Sequence, residues 1–226
     1  MRAAHVLKVL ADPLLPTEPR LRTIKLGIAR GLTMEIDFSY QSRLYLGIFE
    51  IELARWYRAW CGPGSACFDV GAREGYVALS LAKLSAGGRV LAFEADPAEC
   101  ERMRRNVAAN PSLVPAPEIR LARVTARTDD QGNLALDDSA FAKDGFVPDL
   151  VKLDVEGNEL NALRGAERLL RERRPHLVVE THSEQLESGC AELLVSHGYE
   201  PRVVEPRRWL AEVRAGHNRW LVAEGR

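Results

Sequence analysis

The stretch 66–82, A-C-F-D-V-G-A-R-E-G-Y-V-A-L-S-L-A, constrains this chain more than any other. A short apolar run closes on Asp69 and passes through Gly71 and Gly75. It then places Val77, Leu81 and Leu84 at helical spacing, the pattern of a strand, a tight turn and a helix. The glycines stand as G-x-x-x-G, with Ala72 between them, and not in the G-x-G-x-x-G spacing that lets a backbone approach a pyrophosphate. Asp69 opens the turn and Glu74 sits inside it. Two carboxylates at a helix N-terminus repel a phosphate but suit a ligand that carries a cationic amine or sulfonium beside an adenosine. S-adenosylmethionine is such a ligand. A glycine turn of this kind also serves as plain punctuation, so a second half of the site has to decide.

That second half follows at once. Residues 89–93, R-V-L-A-F, read as another buried strand ending on Glu94, 19 residues beyond Gly75. An acid at the tip of the second strand, about 20 residues past the glycine turn, is placed to accept both protons of a ribose diol. Asp96 and Pro97 then open a helix as N-cap and first-turn residue, which makes Asp96 a cap in preference to a ligand contact. The cofactor-binding candidates are therefore Asp69, Gly71, Ala72, Gly75 and Glu94, with Asp154 added from further along the chain.

The remaining pattern alternates strands and helices. Phe49, Leu53, Trp56 and Trp60 recur at helical spacing over 47–60. Residues 119–124 and 149–153 read as a third and a fourth strand, and a helix is expected over 159–171. A fifth strand, 176–179, runs out into Glu180, Thr181 and His182, with a helix over 183–197 stopped by Gly198. Residues 199–204 and 218–223 form a last, antiparallel pair, since no helix of clear period separates them. Asp129 and Asp130 fall in a polar stretch after the third strand, and Arg207, Arg208, Trp209 and His217 in the loop of the last pair, where contact with substrate competes with surface solvation. The sum is an α/β fold with a doubly wound, mostly parallel sheet, whose ligand crevice lies at the carboxyl ends of the strands. Residues 1–46, punctuated by Pro13, Pro16 and Pro19, read as an N-terminal extension or cap, expected to be helical, and 47–226 as the single catalytic domain.

Composition narrows the partners. With 226 residues, 46% of them hydrophobic, the chain is long enough for one well-buried core. A formal net charge of -1 gives no electrostatic case for nucleic acid. Apolar runs are too short for a membrane span, and Lys8 and Asp12 interrupt any leader-like stretch, so a cytoplasmic location is expected. Cys61, Cys67, Cys100 and Cys190 form no C-x-x-C pair and read as reduced, buried thiols. A homodimer is left open.

Four blocks of this chain are recognisable together: L-G-I-F-E-I-E at 46–52, F-D-V-G-A-R-E-G-Y at 68–76, A-F-E-A-D-P at 92–97 and V-K-L-D-V-E-G-N-E at 151–159. In them the chain resembles the FkbM family of S-adenosylmethionine-dependent methyltransferases over about 37–182, with D-V-E-G-x-E the most specific part. The resemblance implies a class I, Rossmann-like methyltransferase fold with strand order 3-2-1-4-5-7-6. It also implies S-adenosylmethionine as cofactor and O-methylation of a hydroxyl on a sugar or glycan, lipid, polyketide or other small metabolite. Arg73 departs from the small polar residue, commonly Asn, that the family carries at that place of the turn.

A neutral hydroxyl is a poor nucleophile, and a base that takes its proton helps by roughly two to four orders of magnitude. Asp154, Glu156 and His182 are the candidates at the expected crevice. If the fourth strand persists through Glu156, alternation places Asp154 and Glu156 on one face. They then serve as base and orienter, or share a hard cation such as Mg2+ with His182; no metal ligand set is assigned. Against these stand plainer roles: Glu156 organising the turn at Gly157, Glu159 satisfying free helix amides, and His182 as a hydrogen-bonded loop residue. Two rival functions are a methyltransferase fold kept as a catalytically inactive binding module, supported by Arg73 alone, and an NAD-dependent dehydrogenase, disfavoured by Glu74 and the absent second glycine.

Overall fold

The computed structural model describes residues 18–207 and 217–225. Its centre is a seven-stranded sheet. The strands are β3 (Cys67–Val70), β4 (Val90–Glu94), β5 (Glu118–Leu121), β8 (Leu150–Leu153), β9 (His176–Thr181), β10 (Arg202–Val204) and β11 (Arg219–Ala223), in the order β10-β11-β9-β8-β3-β4-β5. The pairs β3–β4, β3–β8, β4–β5 and β8–β9 are parallel, and β11 is antiparallel to both neighbours. Numbered within the sheet alone, this is the order 3-2-1-4-5-7-6. Small two-residue strands β6 (Arg123–Val124) and β7 (Asn133–Leu134) close a side loop.

Alternation along the strands divides the core in two. Phe68, Val70, Phe93, Val151 and Val179 face one side, packed under α5 (Leu136–Ala140), α6 (Glu159–Arg164), α7 (Glu167–Glu172) and α8 (Glu184–Ser196). Cys67, Ala92, Leu150, Val178 and Val222 face the other, under α2 (Ala54–Trp60) and α3 (Tyr76–Ser85), with α4 (Pro97–Ala108) flanking. On that second face, period two also aligns Asp69, Glu94, Lys152 and Glu180. Asp69 is the register partner of the residue after Cys67's partner Leu150 by two, namely Lys152, and Glu180 is the partner of Trp220.

Four elements differ from the sequence reading, the first being the expected third strand over 119–124, which divides into β5 of the large sheet and β6 of the side loop. The described part of the extension opens on an antiparallel hairpin, β1 (Arg20–Thr23) with β2 (Thr33–Ile36), and is helical only at α1 (Ser42–Leu46). Met34 and Ile36 are fully buried, so the hairpin is part of the core. The expected helix over 47–60 begins only at Ala54, because Gly47 ends α1 in a left-handed cap and Glu50 is itself left-handed at φ 45°. The expected helix over 159–171 is two helices. It breaks at Gly165, where a Cβ would stand 2.2 Å from the Thr125 carbonyl oxygen, and Asp137 accepts the amides of Arg168 and Leu169 in the next turn. Pro13 and Pro16, with the rest of 1–17, and Arg208 and Trp209 lie outside the described residues.

Candidate active site

The glycine turn packs backbone against backbone. Gly71, at φ 79°, crosses so close to β8 that a Cβ there would meet the Asp154 carbonyl oxygen at 1.7 Å. Gly75 starts α3 at φ 90°, with Met103 where a Cβ would go. The amides of Gly71 and Ala72 both donate to the Phe93 carbonyl, that of Gly75 to Ala72, and that of Arg73 to Glu94 Oε2 at 2.7 Å. A pyrophosphate needs such amides free, and here these four are bonded within the chain. Glu94 Oε1 accepts two further amides, from Ala95 at 2.7 Å and Asp96 at 2.8 Å. Its carboxylate is thereby fixed at the tip of β4, with roughly one of its four acceptor positions left over.

Arg73 is left-handed at φ 48° and its side chain is 61% exposed, so it points out of the turn while its amide still holds Glu94. Glu74 is buried, with Oε2 3.9 Å from Arg73 Nε. Its Oε1 accepts from Gln41 Nε2 at 2.9 Å, and Arg102 donates to Gln41 Oε1. Glu74 therefore anchors the extension, a role the sequence reading had not given it.

Beneath the turn lies a buried ionisable group. Lys152 Nζ is 3.1 Å from Asp154 Oδ2. Burial works against its charge, but Asp154, Glu50, Asp69 and Glu180 together keep it firmly protonated. Asp69 is fully buried, and burial pushes its carboxyl up to about 6 against the pull of Lys152. Glu50, from the segment before α2, is raised well above the usual carboxylate range, by burial first, against the pull of Lys152, and then by the neighbouring Glu180, Asp154 and Asp69 charges. Both oxygens of Asp69, both of Glu50 and the hydroxyls of Tyr57 and Tyr76 are buried with no hydrogen-bond partner among the described residues. Native interiors rarely leave so many polar atoms orphaned together unless a ligand or water completes them. Orphaned acids around one lysine fit a ligand with a cationic end, as S-adenosylmethionine has.

At the ends of β8 and β9 the structure brings Asp154 and His182 together, with His182 Nε2 at 3.5 Å from Asp154 Oδ1. His182 Nδ1 lies 2.7 Å from Oε1 of Glu159, a fully buried carboxylate that also accepts the Gly157 amide at 2.8 Å. That bond raises the affinity of His182 for a proton, against the opposing effect of burial. Glu156 is not part of this group by strand alternation, because β8 stops at Leu153. Glu156 is exposed and left-handed at φ 43°, a turn position beside Gly157. The second carboxylate near Asp154 and His182 is Glu180, whose Oε1 is 3.9 Å from His182 Nε2 and whose Oε2 accepts from Trp220 Nε1 at 3.0 Å.

Asp129 closes its own loop by accepting from Gln131 and Asn133, and His217 pairs with Glu187 of α8 at 3.0 Å. The Arg207 amide is held by Glu52. Glu50, Lys152, Glu180 and Tyr57 are site residues that the sequence reading missed. A lysine inside an otherwise apolar strand was the available signal for Lys152, since such a charge is kept only when paired.

Residues 115–215 match the model of the methyltransferase FkbM domain. The family resemblance is to the FkbM methyltransferases. The matched segment holds the Asp154, Glu159, Glu180 and His182 cluster, and the glycine turn and Glu94 precede it. Among solved structures, the FkbM methyltransferase of Methylobacillus flagellatus KT superposes with a TM-score of 0.56 at 20% identity, over 70% of this chain and 43% of that one. This chain thus spans less than half the length of that FkbM protein. The precorrin-6y C5,15-methyltransferase of Geobacter metallireducens GS-15 gives 0.55 at 17% identity, over 93% and 98%. A SAM-dependent O-methyltransferase of Thermotoga maritima gives 0.55 at 13% identity, over 76% and 63%. No curated protein matches the chain by sequence. The fold is that of the class I S-adenosylmethionine-dependent methyltransferases. Among the described residues, no helix is long and apolar enough to cross a membrane.

Proposed function

We propose that this chain is an S-adenosylmethionine-dependent methyltransferase that methylates a hydroxyl of a small metabolite, sugar or glycan, lipid or polyketide. The observation that carries the reading is the glycine turn, whose amides are used internally and whose base is a set of buried acids. It suits a sulfonium and an ammonium and leaves no cradle for a pyrophosphate. In this reading Gly71, Ala72 and Gly75 shape the wall, Asp69 receives the cationic end, and Glu94, through its remaining acceptor position, receives a ribose hydroxyl. The described part of the N-terminal extension, residues 18–46, forms a wall of the acceptor side on the domain 47–226. The four described cysteines are free and buried, which suits a reducing, cytoplasmic setting.

When bound, the cofactor supplies a methyl group on a sulfonium centre. The chain's part is to hold the acceptor oxygen in line, within about 3 Å of the reacting carbon, and to receive its proton. His182 is equipped for that. With Nδ1 donating to Glu159, Nε2 carries the lone pair and faces Asp154, so a proton taken at Nε2 gives an imidazolium between two carboxylates. Arg73, the feature that favoured a non-catalytic module, turns its side chain away and leaves the turn's bonding intact.

The test is a calorimetric titration of the purified chain with S-adenosylhomocysteine, with NAD as control and Glu94→Ala as second sample. Saturable binding of the first ligand alone, weakened in the variant, is the expected result. A folded wild type that binds neither ligand would overturn the reading in favour of an interaction module.

A further inference from the structure

The formal net charge of -1 conceals an uneven distribution. Residues 25–27 and 45–47 run backbone against backbone. The Lys25 amide donates to the Tyr45 carbonyl at 3.0 Å, a Cβ on Gly27 would stand 2.1 Å from the Gly47 oxygen, and one on Gly47 would stand 1.9 Å from the Leu26 oxygen. Glycine at both places lets the two segments meet, and next to each glycine stands an outward leucine. Leu26 is 56% exposed and Leu46 is 43% exposed. One exposed leucine is ordinary on a protein surface, but two brought together by so close a backbone contact make a small apolar patch.

Cations from three elements border it. Lys25 lies over the Tyr45 ring, 5.5 Å from its centroid. From α3, Lys83 Nζ donates to the carbonyls of Ile28 and Arg30, in the turn that follows Leu26. Burial lowers the affinity of Lys83 for its proton, and the like charges of Arg30 and of Arg58 on α2 lower it further. Lys25, Arg30, Arg58 and Lys83 are all exposed, and none of them pairs with a carboxylate among the described residues. The acids of the same extension are engaged elsewhere: Glu18 with Arg20, Glu35 with Arg102 and Arg105, and Asp37 with the amide and hydroxyl of Ser39. Like charges gathered without counter-charge raise the local potential and favour an anionic partner.

We propose that this face, Leu26 and Leu46 bordered by Lys25, Arg30, Arg58 and Lys83, docks the protein on the surface of an anionic phospholipid bilayer. The leucines decide between polyanions. A nucleic acid would satisfy the cations and leave the leucines in water, whereas a bilayer takes the leucines into the boundary of headgroups and acyl chains while its phosphates meet the cations. The inference does not rest on the methyl-transfer reading, because Lys83 stands at the far end of α3 from the glycine turn.

The experiment is co-sedimentation of the full chain with vesicles of phosphatidylcholine alone and of phosphatidylcholine mixed with phosphatidylserine, at low and at physiological salt, with a duplex oligonucleotide as competing polyanion. Binding is expected to the phosphatidylserine vesicles at low salt, and it should weaken as salt screens the cations. Each cation near such a surface is worth about fivefold in affinity, so Arg30→Gln combined with Arg58→Gln should weaken binding about 25-fold. Leu26→Ser combined with Leu46→Ser leaves the charge unchanged and should still weaken it roughly tenfold. Circular dichroism melts establish that both variants, altered only at exposed side chains, are folded. A wild type that fails to sediment with phosphatidylserine vesicles at low salt overturns the proposal. So does vesicle binding that the two serines leave unchanged, and so does a preference for the oligonucleotide, which would make the face a nucleic-acid contact.

Discussion

Asp69 carries the clearest electrostatic consequence at the scale of one residue. Its carboxyl titrates at about 6 in the fold against an ordinary value of 3.8, with burial as the main cause. A raised folded value means that the contribution of Asp69 to stability is complete below about pH 4. It is lost as pH rises through about 6, a change of about 3 kcal/mol for this buried group. Asp69→Asn removes the titration, so urea unfolding between pH 4 and pH 7 should show wild type losing roughly 2–3 kcal/mol more than the variant. Parallel profiles would mean that Asp69 ionises without cost. Arg73 gives a second expectation. It adopts φ 48° with an exposed side chain, and Asn enters the left-handed region more readily. Arg73→Asn should therefore hold or raise thermal stability, by up to ~1 kcal/mol, with cofactor affinity retained; a loss of more than that would show that the side chain does more than point to solvent. Asp69, Glu94, Asp154 and His182 could be singled out as candidates because each lies at or next to the carboxyl end of a recognisable strand. Glu50 and Glu159 were not, since what marks them is a partner or a lack of one far away in sequence.

The element most poorly legible is the hairpin, and its packing explains why. Strands β1 and β2 have four residues each, too short for a convincing period. The edge of β2 is satisfied by side chains more than 70 positions away: Asn110 Oδ1 accepts the Thr33 amide and its Nδ2 donates to the Thr33 carbonyl, while Asn106 Oδ1 accepts the Glu35 amide. Asn106 Nδ2 also donates to the Glu74 carbonyl at 2.8 Å, so one fully buried amide ties the hairpin to the glycine turn. Asn106→Ala strands two buried backbone groups and should cost about 2–4 kcal/mol in chemical denaturation. It should also weaken S-adenosylhomocysteine binding if the hairpin steadies the turn; unchanged affinity would confine the hairpin to the acceptor side. The two helices misjudged in length fail for a similar reason. A left-handed Glu50 and the close approach of Gly165 to Thr125 are decided by tertiary contact, which helical periodicity does not register.

At the scale of the molecule, alternation of strands and helices gave the layers, and the family resemblance gave the strand order. What neither gave was the sharing of one sheet face by Asp69, Glu94, Lys152 and Glu180, because cross-strand register has no local signal. That sharing has a thermodynamic consequence. The acids on this face are held apart from solvent by β3, β4, β8, β9 and the segment leading into α2, so a ligand that satisfies them binds only the folded chain. By linkage, S-adenosylhomocysteine at about 100 times its dissociation constant should add about 2.7 kcal/mol to the unfolding free energy. For a chain of this size that is a rise of roughly 5–10 °C in Tm. A thermal melt with S-adenosylhomocysteine, with NAD and with neither measures it directly, and Gly71→Ala should abolish the rise, since its Cβ forces β3 and β8 apart at the site itself. Equal rises with both ligands would point to a face that takes adenosine alone, and the buried acids would then have to be explained without a cationic ligand.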